Sequence, residues 1–453
     1  MHIKRVLRRN IPQLGVFMLF LVFSIPAFAQ ETVESGISAG DTAWVLMCSA
    51  LVMLMTAPGL ALFYGGLVSQ RNILSTLMHS FFLLCLISVQ WVLWGYTLSF
   101  GSDIGSVIGG LEHLFFNGVG GAPKAAGDTI PHAAFAMFQA MFAIITVALI
   151  SGTFAERMSF SAFVLFSLLW ATFIYDPLCH WVWGGGWLGE LGALDFAGGT
   201  VVHISSGASA LVAAIMIGRR SGYPKSVPPP HNLPFTLIGG SLLWFGWFGF
   251  NAGSSLAADG LAAIAFTVTN TAAATAGLTW AFIEWALRGK PTVLGAVTGA
   301  VAGLVAITPA AGFVTVPASL WIGLGAGVFC YIGVNTLKPL FGYDDSLDVV
   351  GVHGVGGTWG AIATGIFASE AIGGTSGLLE GNANQVLLQL ISVLAGWGLP
   401  VVGTFIILKI VGAITPLRVS KEDEVTGLDL SLHGEVAYNL FSPGWSTIGR
   451  PKE

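Results

Sequence analysis

The sequence predicts an all-α membrane protein of eleven transmembrane helices, built as a five-plus-five inverted repeat with one helix over. Three observations lead there. Of 453 residues, 54% are hydrophobic and only 9% charged, where a soluble domain keeps roughly a quarter charged. The apolar residues fall in runs of about twenty, the length that crosses ~30 Å of hydrocarbon. The basic residues collect in alternate connections between those runs. Sixty-one glycines accompany them, which suits closely packed membrane helices.

Residues 1–29 read as a signal peptide. Lys4, Arg5, Arg8 and Arg9 form a basic start, an apolar stretch follows from Ile11, and Ala27-Phe28-Ala29 is a small-residue cleavage pattern. Cleavage would start the mature chain near Gln30, outside the cytoplasm; the alternative is an uncleaved first helix. Apolar segments then run over 43–65, 74–99, 132–154, 161–182, 198–218, 234–256, 260–287, 292–309, 318–337, 350–368 and 384–412. Residues 30–417 thus form the transmembrane domain and 418–453 a polar tail. Cys48, Cys85, Cys179 and Cys330 lie in or beside apolar segments without CxxC spacing, and read as small core residues.

Charge placement orients the helices. Alternating loops hold Arg71; Arg157; Arg219, Arg220 and Lys225; Arg288 and Lys290; Lys338; and, after the last segment, Arg418 and Lys421. The opposite loops of the mature chain hold Lys124 beside many acids, among them Asp103, Glu112, Asp128, Glu190, Asp259, Glu370 and Glu380. The positive-inside rule gives N-out, C-in, agreeing with the signal peptide. Two five-helix halves then have opposite orientation, a known transporter plan. The acidic outer face favours cations there.

His203 in the fifth segment and His353 in the tenth hold the same ordinal place in each half, and His79 in the second is a third intramembrane histidine. Ionisable groups at that depth face a pore or the protein interior. A structural imidazole bonded to a carbonyl is the alternative, and the leading one for His79. Gly198-Gly199-Thr200-Val201-Val202-His203 and Gly351-Val352-His353-Gly354 are rich in small residues, so their backbones can approach and bring the rings within bonding reach. An imidazole kept from water favours its neutral form, with one donor and one acceptor nitrogen. No third or fourth ligand stands beside them, so no metal is expected. Asp195 precedes the fifth segment, Asp345 and Asp348 the tenth; all three read first as caps of helix starts, with a substrate-facing role open for Asp195.

Phe138 and Phe142 are four apart on the third segment; Trp247, Phe250 and Ser254 share a face of the sixth; Trp181 and Trp183 end the fourth. An interfacial aromatic belt is the alternative. Phe142, Trp183 and Ser254 together could hold a cation between two π faces and a hydroxyl, with attraction of up to ~2 kcal/mol where water is excluded.

These stretches, with Phe63-Tyr64-Gly65-Gly66-Leu67-Val68, Ala155-Glu156-Arg157, Trp183-Gly184-Gly185-Gly186, Asp195-Phe196-Ala197, Trp247-Phe248-Gly249-Phe250-Asn251-Ala252-Gly253-Ser254, Glu284-Trp285-Ala286, Gly427-Leu428-Asp429 and His433-Gly434-Glu435, resemble the Amt/Mep/Rh ammonium transporter family. Trp183 and Ser254 favour its Amt branch. The resemblance implies a homotrimer in the cell (inner) membrane with one pore per subunit. It implies an ammonium recruitment site at Phe142, Trp183 and Ser254, a pore gate of Phe142 and Phe250, and twin histidines at His203 and His353. Asp195 matches an outer aspartate that organises the site and is linked to deprotonation. Phe138, Gln139 and Trp247 are secondary vestibule candidates. The tail is implied to be regulatory and to dock on a neighbouring subunit, where a PII-type signalling protein could plug the cytoplasmic exits. Ammonium or ammonia, membrane lipid and a second and third copy are the implied partners; neither nucleic acid nor a cofactor is expected, nor enzymatic activity.

Dehydrating an ammonium ion into an apolar channel costs several kcal/mol or more, so neutral ammonia is the cheaper species to move. Separate proton transfer along the histidines would make transport electrogenic; plain ammonia conduction is the other version. Sensing of external ammonium is a rival reading, for which residues 418–453 leave little room for an output domain. A sodium-coupled amino-acid transporter is disfavoured because no mid-membrane carboxylate is evident.

Overall fold

The structure is a computed structural model that describes residues 36–438; the expected signal peptide and the tail beyond 438 lie outside the described residues. Among the described residues, nine helices are long and apolar enough to cross a membrane: α1 (Ala39–Leu67), α2 (Ile73–Phe100), α3 (His132–Phe154), α4 (Phe160–Glu190), α5 (Gly199–Ile217), α6 (Leu233–Ser255), α7 (Gly260–Arg288), α9 (Val316–Phe341) and α11 (Asn384–Ile414). The segments expected at 292–309 and 350–368 are helical too. The first, α8 (Val293–Ile307), has only 15 residues, and the second, α10 (Val350–Phe367), is diluted by His353 and by glycines at 351, 354, 356, 357, 360 and 365. Helix is the form that satisfies every backbone group inside the segment when no water can.

Polar side chains start these helices. Ser38, Ser159, Asn232, Asp259, Thr292 and Thr315 each accept a first-turn amide of the helix that follows. Small residues then set the spacing. A Cβ on Gly303 or Gly323 would press on the Ala272 carbonyl of α7, and one on Gly207 of α5 would run into the backbone of Gly354 in α10. α3 and α5 are the most enclosed helices, whereas α7, α9 and α11 turn broad apolar faces outward.

Several helices contain one widened, π-helical turn. These fall at Met55–Leu60, Trp91–Gly95, Ala171–Tyr175, Gly199–Ile204, Gly333–Leu337 and Val350–Gly354. Each one shifts the register of the side chains beyond it. His203 and His353 both lie inside such turns.

Three expectations need correction. Asp345 accepts the Val350 amide at 2.7 Å as a helix start should, but Asp348 instead pairs with Lys338 at 2.6 Å. Cys85 is exposed on α2, while the other three cysteines are buried. A buried carboxylate does stand within a spanning helix: Asp176 is fully buried along α4. The described part of the tail packs on its own chain through α12 (Lys421–Thr426) and α13 (Leu428–His433). There the Leu428 amide donates to Asn72 Oδ1 at 2.7 Å, the Ser75 amide to Asp429 Oδ1 at 2.8 Å, and Arg71 to the Val425 carbonyl at 2.6 Å.

An ionic knot closes the arginine-rich end. Arg220 bonds Asp344 at 2.8 Å and Glu156 at 2.8 Å, and Arg418 bonds Glu424 at 2.7 Å. Arg157 donates to the carbonyls of Gly218 and Asp344 and to Ser346 Oγ, joining three loops. Burial opposes ionisation of Glu156 and Asp344, yet the Arg220 guanidinium outweighs it and holds both below the usual carboxylate range. Arg220→Ala would leave two buried carboxylates unpaired, so thermal unfolding in detergent should show a loss of about 3–5 kcal/mol. Because both folded-state values are depressed, the knot stabilises fully above the unfolded values and fades as pH falls through the folded ones. The native chain should therefore weaken below about pH 4, and the variant less steeply.

Candidate functional site

Five aromatic rings contributed by α3, α4, α5, α6 and α10 form a column through the enclosed centre. Trp183 meets Phe142 edge-on, centroids 5.9 Å apart at 87°. Phe142 stacks on Phe250 at 4.2 Å and 25°. Phe250 lies 6.1 Å from His203, which stacks on His353 at 5.3 Å and 30°. Phe138 abuts Phe142 edge-on at 5.0 Å. Trp247 stacks on His203 at 5.4 Å and 28°, below Phe250 rather than beside Trp183, and its indole N–H is taken by Thr308 Oγ1.

Polar groups at the Trp183 end are largely committed. The Trp183 indole N–H donates to the Asp195 carbonyl at 2.8 Å. Ser254 gives its hydroxyl proton to the Phe250 carbonyl at 2.8 Å, so what it can still offer is an acceptor oxygen. Gln139 is half-buried, and its amide oxygen has no partner among the described residues.

Asp195 anchors the start of α5. One carboxylate oxygen accepts the amides of Gly198 and Gly199 at 2.8 and 2.6 Å; the other accepts Thr200 and Val201 at 2.8 and 3.2 Å. Gly198, at φ 114°, takes the left-handed turn that wraps the chain around the carboxylate. Burial raises the Asp195 carboxyl above the usual range, and the four amide bonds oppose that shift. The group is thus fixed by the backbone it organises.

At the centre, His203 Nδ1 and His353 Nδ1 lie 3.2 Å apart, so one ring donates and the other accepts. A narrow cavity beside them is lined by apolar side chains, including Ile145, Leu149, Val202, Leu243 and Val301, together with Tyr64, Trp247 and Phe250. Tyr64 spends its proton on the Leu149 carbonyl. His203 Nε2 is buried without a partner among the described residues, and is therefore a polar atom free to serve a solute in an otherwise dry lining. His79 stands apart from this pair, its ring 4.3 Å from Phe163. Tyr64 and Thr308 had no expected role; Tyr64 lies in a quoted motif, but nothing in its spacing marks it as a lining residue.

The description Ammonium Transporter Family belongs to the family that residues 43–438 match. The chain is 56% identical over 401 residues to the ammonium transporter of Bacillus subtilis (strain 168), covering 88% of this chain and 98% of that one. Among solved structures it is similar to Saccharomyces cerevisiae Mep2, with a TM-score of 0.80, 36% identity and coverage of 88% and 94%. It is also similar to a chain titled Sensor Amt Protein, with a TM-score of 0.81, 30% identity and coverage of 87% and 98%.

Asp195→Ala would leave four helix-start amides without their acceptor, so unfolding measurements should show a loss of about 3 kcal/mol. Asp195→Asn retains one oxygen and should lose less; equal stability of Asp195→Ala and the native chain would refute the anchor.

Proposed function

The chain belongs to the ammonium transporter family, and from that membership we propose that it carries ammonium across the membrane. Ammonium is recruited at Phe142, Trp183 and Ser254, where two π faces and an acceptor oxygen suit a small cation. It loses its proton before or while passing the stacked Phe142 and Phe250 rings. Ammonia then moves along the dry cavity, solvated by His203 and His353, while the proton crosses separately. The observation that carries this reading is the imidazole pair set in an apolar lining: a bare ion would shed hydration there at a cost of several kcal/mol, whereas a neutral amine needs one donor or acceptor. Potassium has no proton to give up and is excluded by the same argument.

The transport domain spans 30–417 with eleven crossings, N-out and C-in, in two inverted halves of five. Supporting the repeat, widened turns recur in α4 and α5 and again in α9 and α10, the fourth and fifth helices of each half. Residues 1–29 are the signal peptide and 418–453 a cytoplasmic regulatory tail. The protein is a homotrimer of the cell inner membrane, in contact with lipid, and its arginine-rich face receives a PII-type signalling protein.

Uptake of labelled methylammonium tests the recruitment site. Ser254→Ala and Trp183→Leu should each raise the half-saturating concentration, by up to ~30-fold for a contact worth ~2 kcal/mol; unchanged values would overturn the assignment. Current across a bilayer containing purified protein tests the proton route. Saturating ammonium should drive current through the native chain but not through His203→Ala or His353→Ala, and absence of current in the native chain would leave neutral conduction in its place.

A further inference from the structure

A second polar centre lies between α2 and α4, and none of its residues lines the cavity beside the histidines. Asp176 is fully buried within a spanning helix, where an ionised carboxylate requires compensation. Gln90 Nε2 donates to its Oδ2 at 2.8 Å, and Ser99 Oγ reaches its Oδ1 at a long 3.5 Å. A carboxylate can accept about four bonds, so acceptor capacity remains. No lysine, arginine or histidine among the described residues pairs with it.

The surroundings add further polar atoms without partners. Gln90 Oε1, on the same carboxamide that binds Asp176, is buried and has no partner among the described residues. The hydroxyl of the adjoining Tyr175 is likewise buried and unpartnered. The imidazole one turn further along α4, His180, is engaged elsewhere. Its Nδ1 faces the Ser99 carbonyl at 3.0 Å and its Nε2 faces Asp103 Oδ1 at 2.8 Å. Both ring nitrogens are thus occupied away from Asp176. Widened turns at Trp91–Gly95 and Ala171–Tyr175 adjoin Gln90 and Asp176, a form of helix irregularity frequent at functional sites.

A buried group of this kind, rich in acceptors and short of positive charge, suits a ligand that is itself cationic. We propose that Asp176 and the Gln90 carboxamide oxygen hold a dehydrated monovalent cation, the chemistry shared by sodium and ammonium. A divalent ion would leave one charge unanswered by the single carboxylate. Binding is an exchange: one cation enters as one proton leaves the carboxyl group. The site is independent of the proposed transport pathway.

The full-length purified protein provides the test. Its thermal unfolding is followed in choline, sodium and ammonium chlorides at fixed ionic strength. The native midpoint should rise and saturate with sodium, with ammonium or with both, relative to choline, and the salt that acts names the cation. Asp176→Asn should be flat in sodium and should keep in ammonium only the rise that the recruitment site at Trp183 supplies, and Gln90→Leu should raise the half-saturating concentration by about tenfold. Trp183→Leu, altered only at the ring column, should keep the part of the response that Asp176→Asn removes, which separates this centre from the recruitment site. Infrared spectra of the native protein guard against a variant that does not fold. The carbonyl band of a protonated carboxylic acid should appear in choline and vanish in the active salt. Equal midpoints in every salt, or an acid band that persists in all of them, would show a permanently neutral Asp176 and overturn the proposal.

Discussion

The contact between the backbones of Gly207 and Gly354 is the constraint on which the centre of this molecule depends. Any side chain at Gly207 would separate α5 from α10, and with them the two imidazoles that now lie 3.2 Å apart. Membrane helices gain little from burying apolar surface against one another, because lipid is equally apolar; close backbone packing supplies the adhesion instead. The same glycines that let the helices touch therefore also set the distance between the two imidazoles of the column. Widened turns at Gly199–Ile204 and Val350–Gly354 carry both histidines.

Each end of the helices that carry the column is held by a different kind of force. At the Trp183 end, four amides converge on one carboxylate, and the carbonyl of that same residue fixes the indole. Geometry there is set by hydrogen bonds inside a single loop. At the opposite end, Arg157 and Arg220 join loops far apart in sequence. The tail reaches this region through Glu424, which accepts the Ser221 amide at 2.7 Å. A change in the tail is thus one shared residue away from the loop that carries Arg220.

Much of the fold could be read in advance because hydrocarbon allows so few solutions. Length and apolarity placed the helices to within a few residues, and charge suggested their direction. The pairing of His203 with His353 followed from glycines around two like-placed histidines. Other features depend on detail that periodicity does not carry. Widened turns leave no compositional mark, so the position of Trp247 beneath Phe250 rather than beside Trp183 was not legible. Asp176 sits among Tyr175, Pro177 and Leu178 in a run whose average is apolar, and a window average hides one carboxylate. Asp348 resembled a cap by position alone, but its backbone takes φ 61°, and its side chain turns to Lys338.

The bond between the two Nδ1 atoms has a consequence for polarity. If His353 holds the shared proton, His203 accepts that bond at Nδ1 and, being neutral, must carry its single N–H proton on Nε2, while the Nε2 of His353 is bare. Shifting one proton across the bond and exchanging the outer ones reverses both assignments together. The pair therefore never presents two donors or two acceptors while it is neutral and bonded. It behaves as a dipole with two orientations, and a solute that takes a proton from one ring and returns one to the other leaves the pair inverted, so that it must be reset before the next solute meets the same arrangement.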